Sequence, residues 1–214
     1  MGIGLIFFGV AEPIQHYANP PVGEGGTIQA ARDAMVLTFF HWGLHAWAIY
    51  AIVGLALAFF AFNRGLPLTM RSAIYPLFGD ATWGVVGHIA DVVAVLATLF
   101  GLAVSLGLGA EQISGGLNYL FDIPITNSTK VILILIIIGI ALVSVVAGLE
   151  RGIKRLSSIN MSLALALWLF VLLAGPTLAL LLIIPNSLID YIFYLPELSN
   201  WIERSDLTFV HDWT

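Results

Sequence analysis

The sequence predicts an all-α integral membrane protein, and three observations carry that prediction. Of the 214 residues, 59% are hydrophobic and only 10% are charged, whereas about 25% are charged in an ordinary soluble domain. The mean hydropathy is +0.97, which means more apolar surface than a water-soluble globule can cover with polar groups. Four stretches without acidic or basic residues are each long enough to cross a bilayer core of about 30 Å.

The charge balance and the residue types exclude several function classes. The formal net charge is −5, so no basic surface is available for nucleic-acid phosphates. The chain has no cysteine, which excludes disulfide scaffolds and thiolate metal sites. A phosphate-binding loop, a dinucleotide fingerprint and a nucleophile elbow are also missing from the sequence. A multi-pass membrane protein remains.

Four full spans are predicted within the uncharged stretches. The residues from 131 to 138 are all Val, Ile or Leu, so they lack the alternation of apolar and polar residues that a membrane-spanning β-barrel needs. The spans are therefore predicted as helices, at about 42–62, 84–108, 130–149 and 159–184.

Three further segments complete the predicted single transmembrane region, 1–214. Residues 1–12 are apolar but too short to span, and we interpret them as the outer half of a truncated helix. Segments 110–121 and 186–203 mix apolar and polar residues near helical spacing, which favours helices lying on the outer membrane surface. A loosely packed loop is the alternative for each. The Gly175-Pro176 pair predicts a kink in the last span.

The distribution of basic residues predicts the orientation. Short loops rich in Lys and Arg face the cytoplasm, and loops 63–82 and 150–158 carry five of the eight basic residues: Arg64, Arg71, Arg151, Lys154 and Arg155. The expected location is the inner (plasma) membrane of the cell, crossed several times. Asp91 and His88 then lie near the cytoplasmic start of a span, where an acid either functions or only caps the helix.

Aromatic residues cluster at the start of the first full span, about 42–62, which follows the truncated helix. At about 100° per residue, Trp47 lies roughly 140° and Tyr50 roughly 80° around a helix from Trp42. The three rings can therefore share one broad face, which suits a permanent cation that has no N–H donors and binds to ring faces. The alternative is an aromatic belt at the membrane interface.

Glycine and histidine patterns suggest two other kinds of site. Gly2 and Gly4 alternate in an apolar helix, which favours either an unwound, substrate-binding stretch or a close helix contact. His41 and His45 are four residues apart and can share a helical face. They leave open a membrane enzyme or an electron-transfer subunit with haem or metal ligands, although no HExxH pattern or acidic third ligand accompanies them.

Taken together, these residues resemble the betaine/carnitine/choline transporter family. The resemblance covers the whole chain, and the aromatic segment is close to diagnostic. It rests on five motifs: Met1-Gly2-Ile3-Gly4 with Glu12-Pro13, His41-Trp42 to Tyr50, Pro67 to Gly79, Ala103 to Gly109, and Gly175-Pro176-Thr177.

The resemblance implies a non-enzymatic, secondary active transporter of quaternary ammonium compounds such as choline or glycine betaine. Family members have twelve spans, ten of which form two inverted five-helix repeats in a LeuT-like arrangement, and they often form trimers. This chain is similar to the first repeat, spans three to seven, with its first helix truncated. It would therefore be a fragment, and the missing second repeat would supply the rest of the substrate cage. The complete protein would transport by alternating access and serve in osmoprotection.

The resemblance also assigns site residues and coupling ions. Trp42, Trp47 and Tyr50 match the aromatic box, and the backbone of Met1, Gly2 and Gly4 matches the stretch that faces substrate. Met1 and Thr98 match coupling-ion positions. Sodium-coupled betaine carriers have a second threonine one turn after the first, where this chain has Leu102. This departure favours proton-coupled or sodium-independent transport over sodium symport. Apart from a coupling ion, no cofactor is expected.

Overall fold

A computed structural model describes residues 2–148 and 152–200. Within these ranges the secondary structure is helical, without strands, which confirms the all-α fold class. A π-helical turn, Phe59–Asn63, continues the third helix, and a 3-10 turn, Gly79–Trp83, follows the fourth. The α-helices are α1 (Gly2–Ala18), α2 (Ile28–Trp42), α3 (Leu44–Ala58), α4 (Met70–Phe78), α5 (Val85–Phe121), α6 (Asn127–Val146), α7 (Lys154–Ala174) and α8 (Thr177–Ser199).

The described residues contain five helical stretches long and apolar enough to cross a membrane. Their most apolar windows are between 0% and 11% buried, an exposure of apolar surface that a soluble monomer does not sustain. The chain is therefore a multi-pass membrane protein. The stretches are Ile28–Asn63, Val85–Phe121, Asn127–Val146, Lys154–Ala174 and Thr177–Ser199.

Two of these stretches are longer than hydropathy predicts. The first begins at Ile28, where the Thr27 hydroxyl accepts a hydrogen bond from the Ala30 backbone nitrogen and caps α2. Because charged residues lie early in α2, the uncharged stretch that predicts this span begins later than the helix itself. The predicted surface segment 110–121 is the continuation of α5 and not a separate helix.

The span predicted at 159–184 is interrupted at the predicted position, Gly175-Pro176, where the structure has two helices in place of one kinked helix. Helix α7 ends at Ala174 and α8 begins at Thr177. Pro176 has no backbone N–H and disfavours a helical conformation in the residue before it, and Gly175 is extended, with φ −88° and ψ −169°. The predicted surface segment 186–203 overlaps the second half of α8, and residues 201–203 lie outside the described ranges.

The described chain divides into two compact units, residues 2–105 and residues 106–200 without 149–151. In the first unit, α1 packs against α2, and the loop between them returns so tightly that a Cβ on Gly25 would lie 2.0 Å from the Ala18 carbonyl oxygen. In the second unit, α7 contacts α8. The buried apolar residues of α2 are Ala30, Ala34, Val36, Leu37 and Phe40.

Candidate functional site

The helix that carries the aromatic segment is broken at Gly43. Helix α2 ends at Trp42 and α3 begins at Leu44, while Gly43 itself is non-helical, with φ −93° and ψ −137°. The angles predicted from Trp42 to Trp47 and Tyr50 assume one continuous helix, so they do not apply here. The break separates Trp42 from the other two rings and gives it different neighbours.

Trp42 is half-buried along one face of α1. Its indole Nε1 donates a hydrogen bond of 2.7 Å to Oε2 of Glu12, and its ring stacks on Phe8, with centroids 5.8 Å apart. A Cβ on Gly4 would lie 3.1 Å from Cη2 of the same indole. Because these three α1 residues are spaced four apart, they form one face of the helix, and Trp42 contacts that face at three points.

Glu12 is a buried carboxylate whose two oxygens have different partners. The residue is 6% exposed, and its Oε1 lies 3.0 Å from Nδ1 of His41 while Oε2 accepts from Trp42. Nε2 of His16, itself 2% exposed, lies 3.7 Å from Oε1. A buried acid needs such polar partners because desolvation penalises an isolated charge.

Trp47 and Tyr50 form a second ring pair near the start of α3. Their centroids are 6.3 Å apart and the rings meet edge to face at 61°. The two residues are 52% and 55% exposed, so their ring surfaces are accessible. The structure thus brings Trp47 and Tyr50 together as predicted, whereas the ring contacts of Trp42 are with Phe8 and His41.

The glycine motif forms a helix contact and not an unwound stretch. Met1 lies outside the described residues, and the chain is helical from Gly2 onward. The expectation of an unwound backbone at Gly2 and Gly4 is therefore wrong. The close approach of Gly4 to Trp42 matches the other interpretation, a small residue that lets two helices pack closely.

The histidine pair does not assemble a ligand set. His41 lies beside Glu12, and the ring of His45 packs 4.7 Å from that of Phe40. Within residues 2–148 and 152–200, no group of three or more His, Asp and Glu side chains is placed to hold a metal ion.

Thr98 uses its hydroxyl locally. The Oγ1 atom donates a 2.8 Å hydrogen bond to the Ala94 carbonyl oxygen one turn earlier, as a lone threonine in an apolar helix usually does. Leu102, one turn later, is 55% exposed and offers no oxygen ligand in its side chain. The local arrangement therefore resembles an ordinary apolar helix surface.

Sequence reasoning missed Glu12 and Phe8 as neighbours of the aromatic segment. The signal was present in the spacing of Gly4, Phe8 and Glu12, which places a small, an aromatic and an acidic residue on one face of α1. The partner of that face could not be deduced, because Glu12 and Trp42 are 30 residues apart in sequence.

The described helices define an all-α, multi-pass membrane protein, with the ring pair of Trp47 and Tyr50 near a helix break. All 214 residues match the family model described as BCCT, betaine/carnitine/choline family transporter. The chain belongs to this family, and it is a transporter-family protein and not an enzyme.

Curated relatives agree with this assignment. The chain is 50% identical over 231 residues to a glycine betaine/proline/choline transporter of Vibrio parahaemolyticus, covering 100% of this chain and 42% of that protein. It is 48% identical to the glycine betaine transporter OpuD of Bacillus subtilis, over 100% of this chain and 43% of that protein. The high-affinity choline transport protein of Escherichia coli K12 is 45% identical, with 100% and 32% covered. The chain thus spans less than half the length of these relatives.

Proposed function

We propose that residues 1–214 form part of a longer secondary active transporter for quaternary ammonium compounds such as choline or glycine betaine. The similarity to carriers named for these substrates supports the substrate class. The proposed binding residues in this segment are Trp42, Trp47 and Tyr50. The longer protein is the complete carrier.

The accessible pair of Trp47 and Tyr50 is the observation that carries this proposal. A trimethylammonium group has no N–H donors, so acceptor oxygens cannot hold it by hydrogen bonds. Electron-rich ring faces can, at about 0.5–2 kcal/mol for each contact. Two rings that meet edge to face at 61° offer two differently oriented surfaces to such a rounded cation. The second repeat of the complete carrier would supply the remaining walls.

Transport would follow alternating access in the inner membrane. In this family arrangement, substrate sits near the bilayer centre and one group of helices rocks against another. Loops 63–82 and 150–158 would face the cytoplasm, because they hold most of the basic residues. The outer loop between α1 and α2 would then face the opposite side.

The coupling ion is proposed to be a proton, or transport is sodium-independent. Sodium coordination needs several oxygen ligands, and the Leu102 side chain supplies none at the position where the sodium-coupled carriers have a hydroxyl. Thr98 is the candidate ligand among the described residues, and its hydroxyl already donates to the Ala94 carbonyl oxygen. Met1, the other candidate position, lies outside the described residues.

Substrate binding can be tested on the purified complete carrier by tryptophan fluorescence. Titration with choline or glycine betaine should give a saturable change, because the cation settles against Trp47. Trp47→Phe should remove most of this change, while Trp83→Phe should retain it, since Trp83 lies in the 3-10 turn and pairs with Tyr75. A wild-type carrier that shows no saturable change with either compound would contradict the proposal.

A further inference from the structure

We propose that Glu12 is a positioning residue that fixes the indole of Trp42 for substrate binding. The inference rests on the proposed function of Trp42 and extends it to a residue on a different helix. The observation behind it is the contact of α1 with both ends of one indole. Glu12 accepts from Nε1 at one end, and Gly4 lies beside Cη2 at the other.

The hydrogen bond that Trp42 donates to Glu12 is stronger than one to a neutral acceptor would be. A carboxylate acceptor shortens and strengthens an N–H···O bond relative to a neutral acceptor, and the distance here is 2.7 Å. Glu12 is 6% exposed, so little water competes for its oxygens. The bond is therefore able to hold the indole in one orientation.

Burial of Glu12 is difficult to explain by stability alone. A buried charge costs desolvation free energy, and well-packed apolar residues often stabilise a fold equally well. What a carboxylate provides and an apolar side chain does not is a directional acceptor for an indole N–H. Its second oxygen faces His41 at 3.0 Å and His16 at 3.7 Å, which keeps the carboxylate itself in place.

The orientation of the indole matters because a cation binds to its face and not to its edge. An indole side chain turns about two bonds, and stacking on Phe8 and His41 without a hydrogen bond would permit sliding within the ring plane. Because Nε1 donates a hydrogen bond to Glu12 and Cη2 packs beside Gly4, the plane of the ring is fixed before substrate binds. Pre-organisation of this kind lowers the ordering cost of binding.

The primary test measures uptake kinetics in the complete carrier. Glu12→Ala should raise KM for glycine betaine about tenfold, while the maximal rate per carrier molecule stays within about threefold. Glu12→Gln should restore KM to within about threefold of wild type, since an amide oxygen still accepts from the indole. Glu24→Ala is the matched control: this acid is exposed in the loop after α1, and its loss should leave KM unchanged.

A double-mutant cycle separates positioning from any other role of the acid. Trp42→Phe keeps a ring but removes the N–H donor, so it should raise KM to a similar degree as Glu12→Ala. In the Trp42→Phe background, Glu12→Ala should add no further rise in KM. A further tenfold rise in that background would overturn the inference, because Glu12 would then act independently of the indole.

The remaining outcomes distinguish this inference from the proposed function. If Glu12→Ala leaves KM unchanged while Trp42→Ala abolishes uptake, the positioning role is wrong and the aromatic site stands. If alanine at Trp42, Trp47 and Tyr50 leaves uptake unchanged, the proposed function itself fails. If Glu12→Ala does not reach the membrane, Glu12→Gln tests the positioning role in its place. A tenfold rise in KM for Glu12→Gln contradicts a hydrogen-bonding role of Glu12.

Discussion

Arg71 binds Asp91 through two separate nitrogens. The Arg71 backbone nitrogen donates to Oδ1 at 3.1 Å, and its Nε donates to Oδ2 at 2.6 Å. A third nitrogen, Nη2, lies 3.2 Å from Nδ1 of His88. Since Arg71 lies in α4 and Asp91 in α5, the pair holds the short loop helix against the start of a membrane span.

Loss of the Arg71–Asp91 pair should lower the thermal stability of the complete carrier. The two side chains are only 20% and 26% exposed, so removal of one leaves a partly desolvated charge without its partner. We expect Asp91→Asn and Arg71→Ala each to lower the midpoint of thermal unfolding by roughly 5 °C in detergent. Size-exclusion chromatography after heating measures this midpoint.

Lys130 and Glu111 provide the matched control for that measurement. They form an ion pair in which Glu111 is 55% exposed, and exposed pairs contribute little to stability. Lys130→Ala should therefore shift the unfolding midpoint by less than about 2 °C. Equal shifts for Lys130→Ala and Asp91→Asn would show that the Arg71–Asp91 contact has no special structural role.

Two glycines of α1 should respond differently to the same substitution. A Cβ on Gly4 would lie 3.1 Å from the Trp42 indole, whereas a Cβ on Gly9 meets no atom within 4 Å. Gly4→Val should lower choline uptake by on the order of tenfold, because it displaces the indole, and Gly9→Val should leave uptake near wild type. Radiolabelled choline uptake, normalised to carrier abundance, compares them. Similar losses for both variants would assign the effect to the helix and not to Trp42.

Choline uptake should not depend on sodium. Replacement of sodium by potassium in the assay buffer is expected to leave the initial rate within about twofold, because the Leu102 side chain provides no ligand. Thr98→Val should also leave the rate unchanged, since the Thr98 hydroxyl bonds to Ala94. Uptake that disappears without sodium and in Thr98→Val would establish the sodium site after all.

The predicted orientation can be measured with single cysteines, because this segment has none of its own. Val22 and Leu68 lie in different loops and are 55% and 65% exposed. In a background free of other cysteines, Val22→Cys should react with a membrane-impermeant maleimide added outside intact cells. Leu68→Cys should react only after the membrane is opened. The reverse pattern would invert the proposed topology.

Hydropathy predicts the class of this protein because lipid imposes its requirement on every residue of a span. A run such as residues 131–138 can be read without knowledge of any neighbour. The start of α2 at Ile28 could not be read in this way, since Arg32 and Asp33 interrupt the apolar pattern. It depends on the Thr27 cap, which is a local hydrogen bond and not a matter of composition.

The ring site was predictable only in part. Trp47 and Tyr50 are three residues apart on one helix, so their contact follows from helical geometry. The place of Trp42 does not, because Gly43 ends the helix and a residue from α1 then binds the indole. A tertiary contact across 30 residues has no periodic signature in a single sequence.

The role of the rings is tested by uptake of glycine betaine and choline in the complete carrier, where Trp47→Ala, Tyr50→Ala and Trp42→Ala are compared with Trp83→Ala. We expect each of the first three variants to lower uptake at low substrate concentration by at least about tenfold, since each removes a cation-binding ring face. Trp83→Ala should transport like the wild type. Undiminished uptake by all three ring variants, at wild-type abundance in the membrane, would contradict a role for these rings in substrate binding.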